Sequence, residues 1–243
     1  APIVEEPMPT DRRTETATRS AVAPISARLD LDHIRTWIFD LDNTLYHPSA
    51  GLLDQINHRM TDFIMAELGV DRAYANDIRS RYWRRYGITL AGLMAHHGTE
   101  PSRFLDAVHD IDLSAIAPEP ALIEALAALR ARPRLRLIVH TNGARAHARR
   151  VLAQAGLADA FDAIYALEDK GLAAKPDPAA YAHVIAADGI DTARAAMVED
   201  SATNLVEPKR LGMATIWVTE DRAAPPAHID LKIAALAGFL AAL

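Results

Sequence analysis

Trp37-Ile38-Phe39-Asp40-Leu41-Asp42-Asn43-Thr44-Leu45 sets an apolar run directly before two carboxylates two residues apart. A short run of large apolar residues bounded by Asp and Asn reads as a buried strand running out into a loop. Side chains at i and i+2 of a strand point the same way, so Asp40 and Asp42 repel each other unless a cation intervenes or one holds a proton. A hard divalent ion such as Mg²⁺ takes carboxylate and carbonyl oxygens together with a phosphate, and a protonated carboxyl serves as a general acid. The plain alternative is a polar strand end at which Asp42 or Asn43 caps a helix. An EF-hand loop is excluded, because Thr44 and Leu45 stand where an oxygen-rich ligand and the turn glycine are needed.

Three further strand ends lie downstream. Leu135 to His140 reads as a buried strand ending in Thr141-Asn142-Gly143, ahead of a helix over Ala144 to Gly156. A hydroxyl and free backbone N–H groups at such a junction form an anion cradle, although Thr141 also suits an ordinary N-cap. Lys175-Pro176-Asp177-Pro178 puts a lysine just before a helix that runs to about Ala187; a lone lysine is ordinarily solvated. Ala195 to Val198 leads into Glu199-Asp200-Ser201, with Asn204 one turn along the following helix. Each signal alone has two readings. In an open parallel sheet, however, ligands bind outside the carboxyl ends of the strands, so all four ends converge on one crevice.

Aspartate, threonine, lysine and aspartate, in this order and these contexts, resemble the haloacid dehalogenase (HAD) superfamily of phosphohydrolases over about Thr36 to Val218. The resemblance implies an α/β fold, a doubly wound parallel sheet of Rossmann-like type with a helical cap inserted after the first strand. It also implies roles. Asp40 is then the nucleophile that forms an aspartyl-phosphate, and Asp42 protonates the leaving oxygen and later accepts a proton from water. Thr141, Asn142 and Gly143 bind the phosphoryl group, while Lys175 offsets charge and orients Asp40. Mg²⁺ is held by the Asp40 carboxylate, the Asp42 backbone carbonyl and the Asp200 carboxylate, with Glu199 and Asn204 at or just behind them. The dehalogenase branch lacks an acid two residues after its nucleophile, so Asp42 points to phosphate transfer.

The expected domains are an aperiodic arm over 1–32, a core over 33–46 and 119–243, and a cap over 47–118. Leu53, Ile56, Met60, Phe63, Ile64 and Leu68 recur at helical spacing with Gly69 as a stop. Asp71 caps a helix through Tyr86, Thr89 begins a short one through His96, and Pro101 opens another that ends near Asp110. The stretch Arg81 to Leu93, with His96-His97-Gly98, looks like the matching segment of the pyrimidine 5′-nucleotidase branch. Tyr86 and Thr89 are its candidate substrate contacts, since rings beside arginines stack on a base and attract a phosphate. The alternative is that Tyr82 and Tyr86 are contacts between cap helices and the arginines a solvated face. His96 and His97, adjacent on a helix, do not face one metal. Asp110-Ile111-Asp112 repeats the acid spacing with no strand before it and reads as a helix end.

Composition narrows the partners. The 243 residues carry a net charge of -6, which argues against a nucleic-acid polymer; the resemblance implies a small phosphomonoester as partner. With no cysteine, disulfides, zinc-thiolate sites and cysteine catalysis are excluded, and the cytoplasm is the default compartment. No apolar stretch is long enough for a bilayer, and Leu231 to Leu243 reads as a docked terminal helix. In the arm, Arg12, Arg13, Arg19 and Arg28 favour a transit peptide, whereas Glu5, Glu6, Asp11 and Glu15 oppose it. P-loop, dinucleotide-binding and serine-elbow motifs are missing. The functional expectation is a Mg²⁺-dependent phosphatase for pyrimidine nucleoside 5′-monophosphates. Its alternatives are a phosphatase for phosphoglycolate or a sugar phosphate, a phosphomutase using the same residues, and a receiver-like signalling module.

Overall fold

The computed structural model describes residues 29–243, so the expected arm lies outside the described residues up to position 28. Six strands form one sheet: β1 (Thr36–Phe39), β2 (Arg136–His140), β3 (Ala163–Tyr165), β4 (Ala195–Glu199), β5 (Ala214–Val218) and β6 (Leu231–Ile233). Their spatial order is β3-β2-β1-β4-β5-β6, and every neighbouring pair is parallel.

The central strands are apolar on both faces because both faces are covered. Trp37, Phe39, Leu137, Val139 and Val198 pack into one core, while Ile38, Ile138 and Met197, alternating with them, pack into a second on the opposite side. Helices α1 (Leu52–Leu68), α2 (Arg72–Tyr86), α3 (Thr89–His97) and α4 (Pro101–Val108) lie between β1 and β2; they are followed by α5 (Pro120–Arg130), α6 (Arg145–Gln154), α7 (Pro178–Asp188), α8 (Val206–Arg210) and α9 (Leu236–Ala241). Leu126 of α5, Val151 of α6 and Leu240 of α9 seal the first core, and Val184 of α7 seals the second. Two helical layers around one parallel sheet make the fold doubly wound.

The strand order reverses at β1, with β2 on one side and β4 on the other. Such a switch opens a crevice at the carboxyl ends of the strands. Phe39 is in register with Val139 and Val198, which sets Asp40, His140 and Glu199 side by side at the crevice floor.

The inserted helices begin and end where local chemistry dictates. Asp71 accepts a hydrogen bond from the Tyr74 N–H at 2.8 Å to start α2, and Glu100 accepts one from the Arg103 N–H at 2.9 Å ahead of Pro101 to start α4. Gly92 lets α2 and α3 close on each other, because a Cβ there would lie 2.3 Å from Tyr82 Cγ. The return to the core is tied on both sides. Gln55 exchanges hydrogen bonds with the Asp112 backbone at 2.9 and 3.0 Å, and Arg150 of α6 donates to the His109 and Ile111 carbonyls at 2.9 and 3.0 Å. Asp110 and Asp112 therefore belong to this linker rather than to a helix end, since α4 stops at Val108.

One expectation needs correction. The apolar stretch from Leu231 is not a single helix: Leu231–Ile233 is the edge strand β6, and only Leu236–Ala241 is helical. Leu231 and Ile233, two residues apart, pack on the sheet, while Lys232 between them reaches over the Trp217 ring and donates to the Ala223 carbonyl at 2.6 Å. Among the described residues, no helix is long and apolar enough to cross a membrane.

Candidate active site

Asp40, Thr141 and Asp200 stand where buried strands run out, whereas Lys175, expected at a fourth strand end, lies in the turn that precedes α7, well after β3. Asp40 follows β1, and its N–H still donates to Val198 O at 2.9 Å; Thr141 follows β2, with its N–H donating to Tyr165 O at 3.0 Å. Asn43 takes a left-handed conformation (φ 60°), which Asn tolerates and which turns the chain back so that the Thr44 and Leu45 N–H groups reach Leu41 O. Thr44 Oγ1 then donates to Asp40 Oδ2 at 3.5 Å.

Lys175, 2% exposed, bridges two acids: its Nζ lies 2.6 Å from Asp40 Oδ1 and 2.6 Å from Glu199 Oε2. Asn142 positions it. The Asn142 amide accepts from the Lys175 N–H at 2.8 Å and donates to the Lys175 carbonyl at 2.9 Å, so this side chain grips the lysine backbone instead of facing the crevice. A second buried lysine, Lys170, donates to the Thr141 carbonyl at 2.8 Å from below.

Burial and neighbouring charges shift the titration of the acids and lysines at the crevice floor together. Burial, reinforced by Glu199, pushes the Asp40 carboxyl up to about 7 against the pull of Lys175. Burial pushes Glu199 up to about 7 as well, again against Lys175, and raises Asp200. Burial and the nearby Lys175 bring Lys170 down to about 7. Lys175 keeps its charge: burial opposes it, but Asp40 and Glu199 outweigh burial and hold the ammonium above its usual range. Asp40, Glu199 and Asp200 each present a carboxylate oxygen, all within 4.8 Å of one another. Such an all-oxygen set with surplus negative charge fits a hard dication such as Mg²⁺. Glu199 thus stands nearer the cluster than the expected place behind the ligands, with Lys175 occupying its other side. Asn204 lies in the turn Ala202–Leu205, where its backbone carbonyl accepts from Tyr181 Oη at 2.6 Å.

The Asp42 side chain turns away from that cluster. Its Oδ1 accepts from Tyr46 Oη at 2.8 Å and pairs with His147 Nε2 at 3.0 Å. Burial works against its charge, but these hydrogen bonds prevail and hold the carboxyl below the usual range. His147 is stacked on His109 with ring centroids 4.4 Å apart. Neither histidine was expected from the sequence. The available signal is position: His147 lies four residues beyond Gly143, so the first turns of α6 carry it back over the cradle. Thr141 Oγ1 accepts from the Gly143 N–H at 2.9 Å, leaving its own proton to donate. A Cβ added to Gly143 would lie 3.1 Å from His147 Cδ2, 3.3 Å from Thr141 Oγ1 and 3.6 Å from Asp42 Oδ2. Hydroxyl, carboxylate and imidazole thus close in on a glycine whose place a larger residue could take only by displacing them.

From this point a cavity of about 510 Å³ extends between the core and the inserted helices, with Asp42, Asn142 and Gly143 at one end and Asn57, Arg79, Trp83 and Thr89 among its other walls. Of the two expected cap contacts, Thr89 reaches this wall, although its hydroxyl donates to the Arg79 carbonyl at 3.2 Å. Tyr86 does not. Its hydroxyl bonds His96 Nε2 at 2.6 Å while Tyr82 bonds His97 Nε2 at 2.7 Å, so both tyrosines and both histidines knit α2 to α3. The aromatic that does face the cavity is Trp83, 62% exposed.

Residues 34–212 match the family described as haloacid dehalogenase-like hydrolase. A phosphoglycolate phosphatase of Rhodospirillum rubrum is 32% identical over 187 residues, which cover 74% of this chain and 77% of that protein. Phosphate metabolism protein 8 of Saccharomyces cerevisiae is 27% identical over 201 residues, 77% of this chain, and the chain spans 62% of that protein's length. Among solved structures, a HAD phosphatase from Thermococcus onnurineus superposes with a TM-score of 0.58 at 22% identity, covering 82% of this chain and 93% of its own. That likeness concerns the fold.

Proposed function

Because the chain belongs to the haloacid dehalogenase-like hydrolases, we propose that it is a phosphatase that cleaves a small phosphomonoester through an aspartyl-phosphate on Asp40. The observation that carries this reading is the meeting of Asp42 Oδ2 and Thr141 Oγ1 over Gly143, a proton-transfer carboxyl beside an anion cradle. An Asp40 oxygen attacks phosphorus and the bond to the ester oxygen breaks; Asp42, a carboxylate in the free site, takes up a proton on Oδ2 from the substrate monoanion as it binds and gives it to the leaving ester oxygen. Asp42 then takes a proton from a water that attacks the same phosphorus, and the Asp40 carboxylate is released. Tyr46 and His147 fix Asp42 Oδ1 and leave Oδ2 for this work. Thr141 donates to a phosphoryl oxygen, and Lys175, held by Asn142, orients Asp40. Mg²⁺ would be held by Asp40, Asp200 and the Asp42 backbone carbonyl, with Glu199 alongside; when bound it offsets charge on the phosphoryl oxygens.

The inserted helices act in this reading as a cap that shields the phosphoryl group from water. For substrate, a nucleoside 5′-monophosphate, with a pyrimidine base, suits a cavity of about 510 Å³ that has Trp83 on its wall. Phosphoglycolate is the second reading, supported by the name of the Rhodospirillum rubrum relative.

The test is phosphate release from UMP, CMP, AMP, phosphoglycolate and sugar phosphates, with and without Mg²⁺. Mg²⁺-dependent release fastest on UMP and CMP is expected, with Asp42→Asn slower by roughly 10²-fold or more. Equal rates on purine and sugar phosphates remove the nucleotidase reading, and a phosphoryl group returned to the substrate replaces phosphatase by mutase.

A further inference from the structure

Arg79 of α2 points into the cavity with its charge unused. Its Nη1 donates to Asn57 Oδ1 at 2.6 Å, but its buried Nε has no hydrogen-bond partner. On the same helix Arg72 pairs with Asp62 and Arg81 with Asp77. Among the described residues, no carboxylate forms an ion pair with Arg79; Arg84 and Arg85, which do not line the cavity, have no carboxylate partner either. The Arg79 Nε is closed off, but among the described residues no acceptor takes Nη2, which remains free to donate to an oxygen-bearing group in the cavity. Leu53, Ile56, Met60, Trp83 and Ile88 give this wall its apolar surface, and Asn57, Ser80 and Thr89 are its other polar members. The phosphate cradle at Thr141 and Gly143 lies at the other end of the same space.

We propose that Arg79 is the specificity-determining residue of this cavity, donating to oxygens at the end of the substrate remote from its phosphoryl group, with Trp83 covering the flat moiety that bears them. The inference rests on the phosphatase reading and adds to it the chemistry of the substrate's far end: a planar terminus with exposed oxygen, either a ring carbonyl or a carboxylate. Asn57 acts as a positioning residue, holding the guanidinium through Nη1 and leaving Nη2 to the ligand.

The experiment compares kcat/KM on uridine 5′-monophosphate, phosphoglycolate and phenyl phosphate, the last being flat but without remote oxygens, for the wild type, Arg79→Met and Arg79→Lys. In Arg79→Met, the preference for one oxygen-tipped substrate over phenyl phosphate is expected to fall on the order of 10²-fold. Arg79→Lys, which keeps the charge and loses the guanidinium, is expected to lose about 10-fold of that preference. A collapse confined to the uridine ratio assigns a ring carbonyl; one confined to the phosphoglycolate ratio assigns a carboxylate. If both ratios survive in Arg79→Met while all rates fall together, Arg79 only holds the helices in place and the proposal is overturned. A wild type that releases phosphate from none of the three removes the phosphatase reading itself, a pattern no Arg79 result can imitate.

Discussion

His147 Nε2 sits 3.0 Å from Asp42 Oδ1, on the same oxygen that Tyr46 Oη reaches at 2.8 Å. Two donors on one oxygen fix the carboxyl plane and direct the other oxygen toward Thr141 and Gly143. His147 is fixed in turn by its stack on His109.

Replacing His147 by Leu removes one of those donors and leaves the cavity walls unchanged. We expect kcat to fall about 10- to 100-fold, as losing a supporting hydrogen bond to a working carboxylate does, with KM little changed. Tyr46→Phe should have a smaller effect, and the double variant should lose less than the sum of the two if they act on one carboxylate. Steady-state kinetics on the four proteins decides this; strictly additive losses would separate the two donors.

Lys175 is the shared partner of Asp40 and Glu199. Lys175→Met leaves two buried carboxyls without it, a change that costs about 3–5 kcal/mol in comparable buried pairs. Urea unfolding at neutral pH should show the loss as a lower midpoint with an unchanged slope. A midpoint equal to that of the wild type would mean that the triad contributes nothing to folding.

Acid stability carries a histidine signature. Burial and the neighbouring His147 bring His109 down to about 4. His140 lies well below its usual range through burial and the nearby Lys170 and Lys175. Unfolded histidine binds a proton near pH 6.5, so below that the unfolded chain takes up protons that the folded one refuses, and stability falls as pH drops. For His109 the loss is roughly 2 kcal/mol by pH 5. Asp40 and Glu199, pushed up to about 7, change stability in the opposite direction, so the contribution is read as a difference between wild type and His109→Phe. The variant should lose less stability between pH 6.5 and 5; parallel curves would show that His109 is protonated in the fold.

The sequence made Asp40, Thr141, Lys175 and Asp200 readable because each stands at the end of an apolar run or just before a helix, a local pattern. The working parts of His147 and Asn142 were not readable, since His147 meets Asp42 across 105 positions and Asn142 meets Lys175 across 33. Tyr86 looked exposed to ligand because aromatic-arginine spacing does not say which face α3 will cover. The outer strands β3 and β6 were missed because a three-residue strand is too short to show alternation. Arg79 resembled any other arginine on a polar helix until the packing left its Nε buried and unpartnered.

The most direct measurement follows the phosphoryl group itself. Protein mixed with a radiolabelled phosphomonoester and Mg²⁺, quenched in acid and digested, should carry acid-stable label on the peptide containing Asp40. Asp42→Asn, slowed both in forming and in hydrolysing the intermediate, should gain and lose the label more slowly, and Asp40→Asn, still folded by circular dichroism, should carry none and release no phosphate. Phosphate released at the normal rate by Asp40→Asn, or label found on another residue, would contradict an aspartyl-phosphate at Asp40.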